Sequence, residues 1–330
     1  MLPKDIRGKT IFYAILNWGL GHASRSIPLI KQLAEQGNYI DIGSDGPAMD
    51  LLKCEIPYIN RIGLAELNIH YRNSSMGLNM LLQLPHLYAH FRKDRSIINS
   101  IQAQQPYDII ISDHRYACRS QRSHSIFLGH QLSIMANSTR PSKIASQLNA
   151  RLVNAFNEVW VPDDLNQRRS GILSTNCQIK KPIRYIGPLS RLQATNRKHG
   201  KKYRAAVVLS GPEPSRTRLE TKIIHQLAQL TGKFILVRGT KSALQCEHPH
   251  IKIETILDHQ AIESILHESR CLISRAGYST IMDVDAVGIR SLLIPTEGQT
   301  EQHYLASHIK SPMIQFTTEF ELNVAQFLGE

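Results

Sequence analysis

Short runs of apolar residues alternate along this chain with longer stretches in which apolar residues recur every three or four positions. Buried parallel strands have the first pattern, and the helices that connect them have the second. The alternation therefore predicts an α/β fold with parallel sheets. The predicted strands are residues 10–16, 39–44, 58–62, 108–112, 125–129, 158–161 and 183–186 in the first half, and residues 205–210, 233–238, 251–255, 271–274, 291–294 and 313–316 in the second.

A polar and basic stretch without periodicity, residues 188–202, separates the two series of strands. Such a stretch is typical of a linker. A chain of 330 residues is also long enough for two domains. We therefore predict an N-terminal domain over residues 1–187 and a C-terminal domain over residues 203–330.

Composition and charge narrow the choice of partners. The chain has 39 Lys and Arg against 27 Asp and Glu, and the net charge of +12 suits nucleotides, phospholipid headgroups or nucleic acid. Aromatic residues make up only 6% and do not interleave with basic ones, which disfavours nucleic acid. The five cysteines form no CxxC pair, which predicts free thiols and a cytoplasmic protein. No apolar run approaches the roughly 20 residues that a bilayer crossing needs.

The first predicted strand runs into a turn with Gly19, Gly21 and His22, after which helical periodicity begins. Glycines let the backbone approach a ligand, and a helix start offers unpaired N–H groups and the positive end of its dipole. The turn is therefore a candidate loop for a phosphate or an acceptor. The alternative is that the glycines only turn the chain and that His22 caps the helix.

The second series of strands opens in the same way, with a strand that leads into a loop of small residues. Ser210, the amide of Gly211 and Ser215 can hold a phosphate, with Arg216 as the counter-charge. Two prolines stiffen this loop, and such a loop can also exist without a ligand. Both interpretations stay open at this point.

The most informative stretch is residues 273–303. It contains a turn of small residues before a helix, an acid nine residues after the first serine, and a polar group that follows a proline: Ser274, Arg275, Gly277, Tyr278, Ser279, Thr280, Asp283, Gln299, Glu301 and Gln302. This combination resembles the donor-binding signature of GT-B glycosyltransferases. The similarity is greatest to the family 28 type, the family of the transferase that forms lipid II from UDP-N-acetylglucosamine.

The resemblance implies the GT-B fold, in which two Rossmann-like domains with parallel sheets face a central cleft. It also implies that residues 277–280 hold the diphosphate, Asp283 binds the ribose hydroxyls, residues 299–302 contact the donor sugar and backbone groups around Ile256 hold the base. The family needs no metal, so the only expected co-substrate is a nucleotide sugar, with UDP as its nucleotide. The alternative is that the hydroxyl side chains of the turn only cap a helix and the acid stabilises its first turn.

Two departures from the family pattern leave the acceptor and the donor sugar open. Trp18 and Leu20 stand where the family has a loop richer in glycine, and the sequence Ser-Gly-Pro-Glu-Pro at residues 210–214 replaces its second glycine-rich loop.

Transfer to a hydroxyl with inversion needs a base that takes the acceptor proton. His22 is the first candidate. Asp113 and His114 follow another predicted strand at the same edge, so either can be the base instead or can orient His22. A buried loop aspartate that only accepts backbone hydrogen bonds is the other interpretation of Asp113.

Residues 76–102 form a basic amphipathic segment. Such a segment can rest on an anionic membrane and receive a lipid-linked acceptor. A helix that packs on the sheet shows the same pattern and is our default interpretation. His86 and His90 are four residues apart, as in some metal sites, but no acid lies between them and we expect a packing or exposed role.

The sequence therefore predicts a metal-independent, inverting glycosyltransferase that uses a nucleotide sugar, with UDP as the expected nucleotide, and an unidentified hydroxyl acceptor. Peripheral contact with an anionic membrane is part of this interpretation. The alternatives are an enzyme similar to UDP-N-acetylglucosamine 2-epimerases, a non-catalytic protein that binds nucleotide sugars and, supported only by the net charge, a nucleic-acid binder. The sequence gives no oligomeric state.

Overall fold

The computed structural model describes residues 1–66, 84–135, 139–192, 194, 200–240, 242, 244 and 247–329. These residues form two compact units, Met1–Leu189 and Ser190–Glu330. The division falls inside the stretch that the sequence predicts as a linker. Each unit is a parallel sheet with its own helices and its own core.

The N-terminal unit contains a seven-stranded sheet in the order β3-β2-β1-β4-β5-β6-β7, with every neighbouring pair parallel. Its strands are β1 (Thr10–Ile15), β2 (Tyr39–Ser44), β3 (Asn60–Gly63), β4 (Ile109–Asp113), β5 (His124–Leu128), β6 (Glu158–Val161) and β7 (Ile183–Tyr185). Its described helices are α1 (Gly21–Glu35), α2 (Gly46–Glu55), α3 (Leu84–Gln104) and α4 (Thr139–Val153), with short 3₁₀ helices at Pro3–Asp5 and Gly171–Ser174.

Burial on both faces explains why the central strands are almost continuously apolar. Every residue of β4 is buried, as is all of β1 after Thr10. Helix α3 covers part of one face, where Ile98 packs in a cluster with Phe12 and Ile110. The default interpretation of residues 76–102 as a packing helix is thus confirmed for the C-terminal half of α3, whereas Tyr88 in its N-terminal half is 65% exposed. Leu78, Met80, Leu81 and Leu82 lie outside the described residues.

The C-terminal unit contains a six-stranded parallel sheet in the order β10-β9-β8-β11-β12-β13. Its strands are β8 (Ala205–Val208), β9 (Phe234–Val237), β10 (Ile251–Glu254), β11 (Cys271–Arg275), β12 (Arg290–Ile294) and β13 (Ile314–Phe316). Its described helices are α5 (Ser215–Leu227), α6 (His259–His267), α7 (Tyr278–Val287), α8 (Thr300–His308) and α9 (Val324–Leu328). Leu219, Ile223 and Leu227 on one face of α5 pack against this sheet.

All thirteen predicted strands are present, and their ends differ from the predicted ones by no more than two residues. The prediction of an α/β fold with parallel sheets is therefore confirmed. The described cysteines, Cys54, Cys118, Cys177 and Cys271, are free thiols. None of the helices formed by the described residues combines the length and the apolar character of a membrane span.

Candidate active site

Three neighbouring strands of the N-terminal unit end at the same edge of the sheet. Because β1, β4 and β5 are adjacent and parallel, their carboxyl ends lie side by side. Polar residues stand at these ends: His22 opens α1 after β1, Asp113 ends β4 and His114 follows it, and His130 comes two residues after β5. Arg25, one turn further along α1, completes the cluster.

Asp113 is fully buried at the centre of this cluster. Arg25 donates to both carboxylate oxygens, with its Nε 2.9 Å from Oδ2, and Ser26 Oγ lies 3.3 Å from Oδ2. Burial alone would raise the pKa of the carboxyl group, but the charge of Arg25 and the contacts with His22 and His114 outweigh it. The pKa of Asp113 therefore lies well below its usual range, and the group is ionised at neutral pH.

His22 is held by this carboxylate. Its Nδ1 lies 2.8 Å from Asp113 Oδ1. In the tautomer that carries its proton on Nδ1, the ring donates to Asp113 Oδ1, which only accepts, and Nε2 is left unprotonated. Burial lowers the pKa of His22, and Arg25 adds to this effect against the opposing charge of Asp113. The imidazole is therefore neutral, and its side chain keeps 17% exposure, which suits a base that must reach a substrate.

His114 is a second imidazole on the same carboxylate oxygen, with its Nδ1 3.1 Å from Asp113 Oδ1. Burial lowers the pKa of His114 to about 4. Its backbone is left-handed, with φ of 57°, which is uncommon for a residue with a side chain. Position 129 must be glycine, because a Cβ there would collide with the His114 ring. These constraints fix the ring against β5.

The atoms of His22, Asp113 and His114 that can bind a metal lie within 4.8 Å of one another. A guanidinium already stands at this point, with Arg25 Nη2 2.9 Å from His22 Nδ1 and 3.2 Å from His114 Nδ1. A metal ion would have to displace this charge, so the donor set fits a cation poorly. That the protein works without a metal stays a prediction.

His130 is a member of the cluster that the sequence analysis did not select. Arg25 Nη1 lies 3.3 Å from His130 Nδ1. Its one signal in the sequence is its position directly after the end of a predicted strand, at the edge where the other polar residues gather.

The loop between β1 and α1 has the predicted form of a glycine turn before a helix. Gly19 adopts a φ of 74°, and α1 begins at Gly21. The departures from the family pattern, Trp18 and Leu20, are exposed apolar side chains in the loop directly before His22. The loop therefore combines a basic group with an apolar surface.

In the C-terminal unit, β11 leads through Ala276 and Gly277 into α7, as the sequence predicts. Gly277 is the N-cap residue and has no side chain to fill the space in front of the helix start. Asp283 stands in the second turn of α7 and is partly buried. Ser190 Oγ donates to Asp283 Oδ1 over 2.6 Å. Burial raises the pKa of Asp283 to about 6, while Ser190 and the nearby charge of Arg191 oppose the shift.

Ser274 and Arg275, two predicted donor-binding residues, have protein partners instead. Ser274 is buried and its Oγ donates to the carbonyl of Val208, 2.6 Å away. Arg275 is also buried, and its guanidinium donates to Glu319 Oε1 at 2.5 Å and to Ser215 Oγ at 2.8 Å. These side chains hold the loop in place, and their polar groups are already bonded within the protein.

The loop after β8 shows the same pattern. Arg216, the predicted counter-charge for a phosphate, is buried between two acids. Its guanidinium lies 2.6 Å from the carboxylate of Glu213 and 3.2 Å from that of Glu220. Its charge is therefore already balanced within the protein. Ser210 and Gly211 remain exposed, and Gly211 has a φ of 111° that favours glycine.

The predicted sugar-contact segment begins α8. Gln302 Nε2 donates to Gln299 Oε1 at 2.5 Å, and Gln302 Oε1 accepts from the amide of Thr296 at 2.7 Å. Gln302 thus shapes the loop, while Gln299 and Glu301 stand at the helix start. Ile256, the expected neighbour of the base, is an exposed apolar residue after β10.

Comparison with known families identifies the C-terminal unit. Residues 206–311 match the model of the Glycosyltransferase family 28 C-terminal domain. The match includes the turn before α7, Asp283 and the start of α8. No curated protein sequence matches the chain.

Solved glycosyltransferase structures share the fold over nearly the whole chain. The kitacinnamycin glycosyltransferase has 14% identity and a TM-score of 0.66, with 98% of this chain and 92% of that chain covered. Arabidopsis thaliana UGT89C1, complexed with UDP-L-rhamnose, has 12% identity and a TM-score of 0.65, with 98% and 90% covered. Acinetobacter baumannii MurG has 13% identity and a TM-score of 0.53, with 97% and 88% covered. The family match confirms the predicted enzyme class, a glycosyltransferase, and the similar structures confirm the predicted GT-B fold.

The state of His114 can be measured directly. Because burial lowers its pKa to about 4, we expect its ring to stay neutral from pH 8 down to about pH 5 and to take up a proton only below that. Two-bond ¹H–¹⁵N NMR spectra of ¹⁵N-histidine-labelled protein report this protonation, and a His114→Gln variant assigns the signal. Titration of the ring between pH 6 and 7 would contradict the buried arrangement.

Proposed function

We propose that this glycosyltransferase moves a sugar from a UDP-linked donor to a hydroxyl acceptor, with inversion and without a metal. The observation that carries the proposal is the pairing of His22 with a buried, ionised Asp113 at the carboxyl edge of the N-terminal sheet. This pair supplies a base, and the family 28 match in the C-terminal unit indicates where a nucleotide sugar binds.

On the acceptor side, His22 Nε2 takes the proton of the attacking hydroxyl as its oxygen bonds to the sugar. The imidazole then becomes a cation. Asp113 stabilises that cation through the existing 2.8 Å hydrogen bond and remains ionised. Asp113 Oδ1 also contacts Arg25 Nη2 and His114 Nδ1. These contacts prevent the carboxylate from rotating away from His22, so Nδ1 of His22 stays protonated. His22 therefore acts as the base. Asp113 and His114 keep it oriented, and Asp113 stabilises its cationic form.

On the donor side, the leaving nucleoside diphosphate gains negative charge as the glycosidic bond breaks. Arg216 and Arg275 are each paired with an acid, so neither charge is available to it. The backbone N–H groups of residues 277–280, at the positive end of α7, take this role. Asp283 accepts hydrogen bonds from the ribose hydroxyls, and Gln299 and Glu301 contact the sugar.

The nucleotide assignment rests on the family resemblance and on similar structures. One similar structure, LpCGTa, is a complex with UDP, and the spinosyn rhamnosyltransferase SpnG is a complex with thymidine diphosphate. Uridine is our proposal because the residues of the donor motif resemble those of the family 28 enzymes.

The reaction itself is tested by UDP release from a panel of UDP-sugars, with and without a panel of hydroxyl acceptors. UDP release that requires both substrates would support the proposal. Conversion of the donor sugar without an acceptor would instead indicate an enzyme similar to 2-epimerases, and donor binding without turnover would indicate a non-catalytic protein.

The role of His22 predicts a separation between turnover and binding. General-base catalysis contributes typically 100- to 10,000-fold, so we expect His22→Ala to lower kcat by about that factor. The Kd for UDP should stay unchanged, because the donor groups lie in the other unit. His86→Ala, a change at an exposed histidine of the same unit, is the matched control. A His22→Ala variant with normal kcat and weakened UDP binding would contradict the assignment.

The role of Asp283 predicts the opposite pattern. Loss of its hydrogen bonds to the ribose should weaken UDP binding by about 1–3 kcal/mol in Asp283→Ala. Asp285→Ala, at an exposed acid on the same helix, is the control and should leave the Kd for UDP within twofold. Isothermal titration calorimetry measures both, and equal UDP affinity in the two variants would remove the assignment.

Peripheral contact with an anionic membrane also belongs to the proposal, and α4 offers a second surface for it besides the segment at residues 76–102. Helix α4 exposes Ile144, Leu148 and Leu152 at intervals of four residues, with exposures of 59%, 54% and 40%. Its charged residues are all basic, Arg140, Lys143 and Arg151. Apolar and basic residues along one helix fit an anionic lipid surface. A stable protein interface buries roughly 800 Å² per partner, and three half-exposed side chains cannot supply that area. We therefore favour a lipid surface over a protein partner.

Sedimentation with phosphatidylglycerol vesicles tests this face of α4. We expect the triple variant Ile144→Ser, Leu148→Ser, Leu152→Ser to lose most of the bound fraction, because both the apolar contact and its positioning of the basic residues are removed. Leu165→Ser, at an apolar residue that is 81% exposed in the same unit, is the control. Equal binding of the triple variant and the wild type would exclude α4 as the contact.

A further inference from the structure

Ser190 begins the C-terminal unit, in the segment that the sequence predicts as a linker. It lies 93 residues before Asp283 in the chain, yet its Oγ is 2.6 Å from Asp283 Oδ1. The function proposed above does not use this contact. It joins the connecting segment directly to the acid assigned to the ribose.

Ser190 Oγ also takes part in a second hydrogen bond, which leaves its proton free. The backbone amide of Leu192 donates to Ser190 Oγ over 3.0 Å. A hydroxyl has one proton to donate, and a carboxylate oxygen that is ionised can only accept. The Ser190 proton therefore points to Asp283, and the local turn from Ser190 to Leu192 holds it there without any ligand.

This arrangement acts on the carboxylate in two ways. It fixes the position of Oδ1, so that the side chain of Asp283 does not rotate freely before a ligand arrives. It also favours the ionised form, because a donated hydrogen bond stabilises the charged carboxylate against its partial burial. An ionised carboxylate offers acceptor positions on both oxygens, and a vicinal diol needs two such positions.

We propose that Ser190 is a positioning residue for the donor nucleotide: its hydroxyl keeps Asp283 oriented and ionised, so that the connecting segment takes part in ribose recognition. This inference rests on the proposed role of Asp283 in nucleotide binding. Ser190 itself need not touch the nucleotide.

The charged neighbour of Asp283 in this region is Arg191, the residue after Ser190, which favours the same ionised form. Burial acts in the opposite direction and raises the pKa of Asp283 to about 6. Without the Ser190 hydroxyl, one of the two groups that counteract the effect of burial is lost. The pKa of Asp283 then rises further, and the carboxyl group takes up a proton at higher pH. A serine that only holds the chain together would not produce such a change.

The test is the Kd for UDP between pH 5.5 and 8.5, measured by isothermal titration calorimetry on wild type, Ser190→Ala and Ser190→Thr. The phosphate of UDP titrates in the same range, but it does so identically for every variant. The ratio of each variant's Kd to the wild-type Kd therefore isolates the protein group.

For Ser190→Ala we expect a ratio of about ten near pH 6, which corresponds to one hydrogen bond to a charged group, and a smaller ratio at pH 8.5, where Asp283 is ionised without help. Ser190→Thr keeps the hydroxyl and should give a ratio near one throughout. Ser190→Cys, almost the same size with a weak donor, should resemble the alanine variant and replaces it if that variant does not fold.

Two results would overturn the proposal and are distinguishable from each other. If wild type binds UDP and the Ser190→Ala ratio is near one at every pH, Ser190 has no positioning role although the proposed function stands. If wild type binds no UDP at any pH, the proposed function fails and this inference fails with it.

Discussion

The buried ion pair between Arg25 and Asp113 is the interaction on which the N-terminal site depends. A carboxyl group with no solvent exposure would ordinarily take up a proton, and it stays charged here because a guanidinium donates to both of its oxygens. Removal of either partner leaves an uncompensated charge in the core, which typically destabilises a protein by about 3–5 kcal/mol. In the proposed mechanism, Asp113 of this pair keeps the proton of His22 on Nδ1. The guanidinium of Arg25 occupies the position that a metal ion would take. One buried contact thus links the stability of the sheet edge to its proposed chemistry.

Both units place their proposed functional groups by the same rule of topology. Parallel strands end at a common edge, so side chains far apart in the sequence meet where those strands end. In the N-terminal unit this edge presents His22 and Asp113 from β1 and β4. In the C-terminal unit, β11 ends in the turn that leads into α7. The charged side chains beneath these turns are mostly paired with each other, which leaves backbone groups, His22 and Asp283 as the proposed contacts with substrate.

The sequence was sufficient to predict the strands, because a parallel strand buried on both faces is a continuous apolar run with a recognisable end. It also predicted that His22, Asp113 and His114 share one edge, which follows from strand order alone. It could not predict that Arg275 would be paired with Glu319, because that pairing depends on which loop packs beside the turn. The pairing of Arg216 with Glu213 and Glu220, at spacings of three and four residues, was in contrast visible in the sequence. His130 had no spacing signal, and Ser190 lay in a stretch without periodicity.

The exposed loop at Trp18 and Leu20 is a place where the surface beside His22 can change in evolution. Neither side chain belongs to the buried core or to the ion pair that holds the base. Substitutions there alter the surface next to His22 while the charged centre and the sheet stay intact. If the proposed acceptor role of His22 holds, a lineage that carries this scaffold can change its preferred acceptor by surface mutation, without first compensating for a loss of fold stability.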